Sequence, residues 1–143
     1  MGEVEKRLAE LGIVLPEALK PVALYVPAVT EGNLVYTSGA DCRVNGKLLY
    51  EGKVGRELTV EMGIEAARQT AINLLAGLKE HLGDLDRVKR IVKLLGFVNS
   101  APGFCEQPAV INGASRLLID VFGERGRHAR SAVGMSELPF HTP

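Results

Sequence analysis

Tryptophan is absent from this 143-residue chain, and only 5% of its residues are aromatic. A platform that stacks successive bases of a nucleic-acid strand needs more aromatic surface than that. An excess of either charge is missing too, with 17 Lys and Arg against 17 Asp and Glu. No overall field draws nucleic acid or an anionic membrane to the surface, so neither is expected as a partner. Cysteine is scarce: Cys42 and Cys105 form no C-x-x-C pair and have no histidine at zinc-ligand spacing. Both thiols read as small buried hydrophobes of a reducing compartment rather than as nucleophiles. His81, His128 and His141 are scattered, so no metal cluster is expected, and His81 near a helix end is expected to face solvent. The opening stretch MGEVEKRLAELGIVLPEALKP is too charged for a signal-peptide core and too short in apolar length for a membrane span. A soluble, cytoplasmic protein is the expectation.

Familiar catalytic signatures are missing as well. TSGAD lacks the G-x-S-x-G spacing of a nucleophile elbow, and GKVGREL is neither a phosphate loop nor G-x-G-x-x-G. No pair of carboxylates stands out for glycoside chemistry.

What remains is a globular composition, 46% hydrophobic and 24% charged, at the length of one domain. Residues 1–20 read as a helical extension, with Val4, Leu8 and Leu11 on one face and Gly12 near its end. VALYVPAV and NLVYTSGAD read as strands joined by TEGN, and Pro27 puts the first at an edge. Asn45-Gly46 marks a second hairpin. A long helix follows, capped by Thr59 and stopped at Gly83, with Val60, Ile64, Ala67, Ala71, Leu74, Leu78 and Leu82 as its apolar stripe. Gly63 and Gly77 within it are expected to allow close packing on a sheet. DRVKRIVKLLGFVNS alternates as a strand, with Val88, Val92 and Leu94 opposite Lys89 and Lys93; from Leu95 and Phe97 its second face turns apolar. Either another subunit or a folded-over loop would cover that face. Pro108 opens a second main helix with Ile111, Ala114, Leu118 and Val121 inward, Gly123 ends it, and ARSAVGMSEL is a last strand. The pattern predicts one α+β domain over residues 1–143, a mixed sheet with two main helices on one face.

Arg130 is the residue with chemical promise. Its guanidinium matches a carboxylate bidentately, and the neighbouring Ala129, Ser131 and Ala132 leave room for a ligand. The residues alone favour the plainer reading of Arg130 as a solvated turn arginine, since Arg125 and Arg127 nearby read as solvated turn charges.

LYVPAV, GNLVYTSGAD, NLLAGL, VKRIVKLLGFVN, VINGASRLL and GRHARSAVGMSELP follow one another in the order and spacing of the Rid family, the YjgF-like reactive-intermediate deaminases. HARSAVGMSELP resembles that family's P-A-R-S-x-V-x-V-x-x-L-P, and the branch resembled is often labelled endoribonuclease L-PSP or translation initiation inhibitor. The resemblance spans roughly Pro21 to Pro139 and implies a chorismate-mutase-like fold, a homotrimer, and ligand clefts between subunits. It implies hydrolysis of enamine and imine acids such as 2-aminoacrylate to 2-oxo acids and ammonia, without a cofactor. On this reading Arg130 grips the substrate carboxylate, Tyr25 is the cleft tyrosine, and Ser38, Gly39 and Asn112 line the site. Ala132 contributes a backbone carbonyl that orients the attacking water. His128 stands where deaminating members carry proline. The resemblance also implies a final V-E-I-E strand whose second glutamate meets substrate and water; the sequence reaches FHTP before it.

Three functions compete on these grounds: an imine/enamine deaminase, a non-catalytic trimer that binds small carboxylates or 2-oxo acids, and a ribonuclease. Neutral net charge and the lack of a recognisable acid–base pair count against the last.

Overall fold

The computed structural model describes residues 2–21 and 23–143. Helix α1 (Glu3–Glu10) begins at Gly2, which has no side chain to cap the free N–H groups of the first turn. Asp86 supplies the cap from far along the chain: its carboxylate accepts from the backbone N–H of Glu3 and of Val4, both at 2.9 Å. Those two bonds, Val4's first, with the Arg125 charge adding to them, hold the Asp86 carboxyl below its ordinary range. Val4 and Leu8 are buried against Ile72, Leu75, Leu117 and Phe122, so the N-terminal extension is part of the main core. Gly12, at φ +71°, ends the helix as expected.

Strands β1 (Ala28–Glu31) and β2 (Leu34–Thr37) form an antiparallel hairpin whose two-residue turn begins at Gly32, φ +60°. The expected strand VALYVPAV is shorter than its sequence: Val22 lies outside the described residues, and Ala23–Pro27 form no ladder. Pro27 has no N–H to give, and regular pairing starts at the next residue. Strands β3 (Arg43–Val44) and β4 (Lys47–Leu48) pair across Asn45 and Gly46, both at positive φ, as the Asn-Gly signal predicts.

Helix α2 (Val60–Leu82) is capped by Thr59, whose hydroxyl accepts from Met62 N at 3.2 Å, and stops at Gly83, φ +82°. Its predicted apolar stripe is displaced. Of that stripe only Ala71 is fully buried, and the closed face is Gly63, Ala66, Ala71, Ile72, Leu75 and Ala76. Helix α3 (Gln107–Phe122) packs along α2, and small residues there let the two backbones approach; a Cβ on Gly113 would fall on the carbonyl oxygen of Ile64. A Cβ on Gly63 would press on Val54 and Val110, whereas Gly77 faces open space and needs no glycine for packing. Ile111, Ala114, Leu118 and Val121 of α3 are buried, as predicted.

Strands β5 (Lys93–Asn99) and β6 (Ala129–Met135) run parallel, in register from Lys93 opposite Ala129 to Asn99 opposite Met135. The strand expected from Val88 onward begins only at Lys93. Its partner starts at Ala129, after a 3-10 turn over Gly123–Gly126, so residues 88–92 have no ladder to join. Antiparallel and parallel pairings both occur, as a mixed sheet requires, but in three two-stranded ladders rather than one continuous sheet. On the helix side of β5, Gly96 and Val98 are buried; on the other side Leu95, Phe97 and, on β6, Val133 are 57%, 47% and 41% exposed. No loop among the described residues closes that side. The chain then turns at Pro139–His141 and returns to the end of β5, where Pro143 O accepts from Asn99 N at 2.8 Å. Among the described residues no helix is long and apolar enough to cross a membrane.

Candidate functional site

Arg130 is the second residue of β6, opposite Leu94, and its side chain runs towards α3. Nη1 donates to Ser115 Oγ and Nη2 to the carbonyl of Pro108, each at 3.1 Å. Both acceptors are neutral, and among the described residues no carboxylate pairs with this guanidinium. Arg130 is therefore not a freely solvated turn charge. Arg127 is: it is exposed, and its ion pair among the described residues is with its neighbour Glu124. Arg125 departs from expectation, donating to Val88 O at 3.0 Å with its guanidinium 5.9 Å from the Phe122 ring. Ala132, on the same face of β6 as Arg130, packs beside Val98 and Ile111.

Ser115 carries a second contact that the sequence reading missed. Its Oγ lies 2.9 Å from His128 Nε2, and His128 Nδ1 lies 2.6 Å from the carbonyl of Gly126. A carbonyl oxygen can only accept, so Nδ1 holds the proton and Nε2 of the neutral ring accepts from the serine hydroxyl. Helix α3 and the lead into β6 thus bring a hydroxyl, an imidazole and a guanidinium into one chain of hydrogen bonds. The available signal was a histidine two residues before the arginine; the thirteen-residue gap to Ser115 carries no motif.

The remaining predicted residues lie elsewhere on the chain. Ser38 donates to Val26 O at 2.6 Å, which ties the end of β2 to the segment carrying Tyr25. Tyr25 and Gly39 are exposed. Asn112 is exposed on α3, three residues before Ser115. Among the described residues no hydrogen bond joins the Tyr25–Ser38 group to the Arg130 group. His81 is exposed as expected, 2.7 Å from Thr30 Oγ1. Cys42 is buried, whereas Cys105 is exposed in the turn before α3, contrary to its reading as a buried hydrophobe.

A cleft of about 510 Å³ opens at the C-terminal ends of β5 and β6, lined by Lys53, Arg56, Ser100, Gln107, Gly134 and Glu137 among others. Lys53 is buried, and its ammonium donates to Asn99 Oδ1 at 2.8 Å and to the carbonyl of Ser136, with Glu137 at 3.6 Å. Asn99 is fully buried, and its Nδ2 finds no partner among the described residues. At the rim, Arg56 grips Glu57 through two bonds and holds that carboxyl far below its usual range, so Glu57 is a poor proton donor. Among the described residues no cluster of His, Cys, Asp and Glu could hold a metal ion.

Residues 5–142 match the family described as "YjgF/chorismate mutase-like, putative endoribonuclease". Protein TCP17 of Trypanosoma cruzi is 48% identical over 140 residues, which is 97% of this chain and 88% of that protein. A crystal structure of a protein of unknown function from Agrobacterium tumefaciens is also 48% identical, with a TM-score of 0.89 over 97% of this chain and 85% of the other. A protein from Shewanella oneidensis MR-1 called a putative endoribonuclease is 37% identical, with a TM-score of 0.94 over 97% of this chain and 92% of its own.

Proposed function

The chain belongs to the YjgF/chorismate mutase-like family, and from that premise we propose that it hydrolyses small 2-imino and enamine acids to 2-oxo acids and ammonia. The observation that carries this reading is Arg130. Of the five N–H donors on a guanidinium, two are spent on neutral acceptors, and the charge of this half-buried group has no anion among the described residues. A ligand carboxylate completes such a site, since a charge-assisted pair is strongest where water is partly excluded.

An imine carbon is already electrophilic. The protein need only hold the carboxylate, place a water and move protons. No metal or organic cofactor enters this chemistry. The working unit in this proposal is a homotrimer, with the open apolar side of β5 and β6 facing other copies. Tyr25, Ser38 and Gly39 then join Arg130, Asn112 and Ala132 in clefts where copies meet.

The test is hydrolysis of freshly generated 2-iminopropionate by the wild type beside Arg130→Ala. We expect turnover in the first and a loss of at least ~100-fold in the second, in the range set by lost substrate orientation. Pyruvate binding without turnover would convert the reading to a carboxylate-binding trimer. The ribonuclease reading, carried by the name of the Shewanella protein, would require RNA binding with a steep salt dependence, which a chain of zero net charge does not favour.

A further inference from the structure

We propose that Ser115 and His128 form the proton relay of this site, Ser115 exchanging protons with the attacking water and His128 receiving them through it; the inference rests on the deaminase reading above. Three features of the geometry point there. His128 Nε2 is within hydrogen-bond reach of the Ser115 hydroxyl, at 2.9 Å. The Gly126 carbonyl, 2.6 Å from Nδ1, fixes the ring in the tautomer whose Nε2 is free to accept. Ser115 Oγ is also bonded to Arg130 Nη1, so the relay ends at the guanidinium that holds the substrate carboxylate. A hydroxyl with a base on its proton and a cation on its oxygen is poised to lose and regain that proton.

The substrate enters as its iminium. A water oxygen bonds to the iminium carbon, the C=N pair moves to nitrogen, and the water proton goes to Ser115 Oγ as the serine proton passes to His128 Nε2. The neutral carbinolamine then takes that proton back at nitrogen along the same path. The C–N bond breaks, the oxygen lone pair forms the carbonyl, and the hydroxyl proton leaves with ammonia as ammonium. Ser115 and His128 end as they began.

The elements packed around His128 carry several charged groups. These are Arg130 on β6, Lys93 on β5 beside Ala129, the Glu124–Arg127 pair in the preceding turn, and Arg116 and Asp120 on α3. They are common to the wild type and the variants, so each variant is compared with the wild-type pH profile.

Rates with 2-iminopropionate and affinity for pyruvate are measured over the pH range in which imidazoles titrate. Ser115→Ala and His128→Gln are expected to lower kcat by ~100-fold, the usual worth of general acid–base catalysis, while pyruvate affinity is kept. Ser115→Thr, which keeps the hydroxyl, is expected to restore most of the rate. His128→Gln should also remove the acid-side fall in kcat/KM. A purely structural role would lower rate and affinity together and leave that fall in place; either that pattern or wild-type rates in both variants overturns the relay. Absence of turnover in the wild type defeats the deaminase reading instead. The relay is then read from the ¹⁵N resonance of His128 Nε2 on adding pyruvate: movement in the wild type that disappears in Ser115→Ala supports it, and no movement overturns it.

Discussion

The β5–β6 ladder presents two faces built from the same two strands, and they have opposite fates. On one, Gly96 and Val98 lie under α3, which in turn packs on α2 through Gly113 and Gly63. On the other, Leu95, Phe97 and Val133 remain open. Burying a side chain of the size of leucine or phenylalanine stabilises by about 1.5–3 kcal/mol, so the open face forgoes a sizeable stabilisation that a partner would recover. The closed face holds the fold and the Arg130–Ser115–His128 chain; in the proposed trimer the open face holds the copies together. In that proposal, packing within the chain and assembly between chains take opposite sides of one ladder.

Breaking the closed face is expected to have the largest effect. Gly113→Ala would drive a methyl into the Ile64 carbonyl, a backbone atom that cannot turn aside. A loss of about 3 kcal/mol is expected, at the upper end of overpacking costs, read as a lower urea midpoint at unchanged slope. Breaking the open face should leave the single chain folded. Phe97→Asp is expected to convert a trimer to monomers in sedimentation velocity, with a circular-dichroism spectrum like that of the wild type.

The smallest effect sharpens the comparison at the outer edge of the closed face. Asp86 caps α1, and its carboxyl is held below its ordinary range. A depressed folded-state value means that its contribution is present above the ordinary carboxylate range and is lost as pH falls through the folded value. Asp86→Asn is therefore expected to lower Tm at neutral pH, and the gap to the wild type should close as the solution is acidified. A gap that stays constant would mean that the cap acts without its charge.

Local chemistry made much of this fold legible. Thr59, Gly83, Asn45-Gly46 and the α3 face act through neighbours a few residues away, and each is where the pattern puts it. The stripe on α2 was not legible, because glycine and alanine carry little hydrophobic signal yet line the face that α3 approaches most closely. Strand β5 began late because its start depends on where β6 begins, more than thirty residues on. Asp86 capping α1 is likewise a contact that no local motif announces. At the site, Arg130 stood out by its family motif, but its partners Ser115 and Pro108 did not, and His128 entered only as a substitution for proline. The Lys53–Asn99 cleft left no trace in the sequence, since a lysine is expected at the surface until the fold encloses it.

Activity and assembly are tied in this proposal: within one chain Tyr25 and Ser38 share no hydrogen bond with the Arg130 group among the described residues, and a neighbouring copy brings the two groups together. The most direct measurement is 2-iminopropionate hydrolysis by the wild type and by folded Phe97→Asp at a concentration where the variant is monomeric. The account predicts ammonia release by the wild type and almost none by the monomer. Equal rates in both would contradict it, since the site would then be complete within one chain, as would a wild type that releases no ammonia above background.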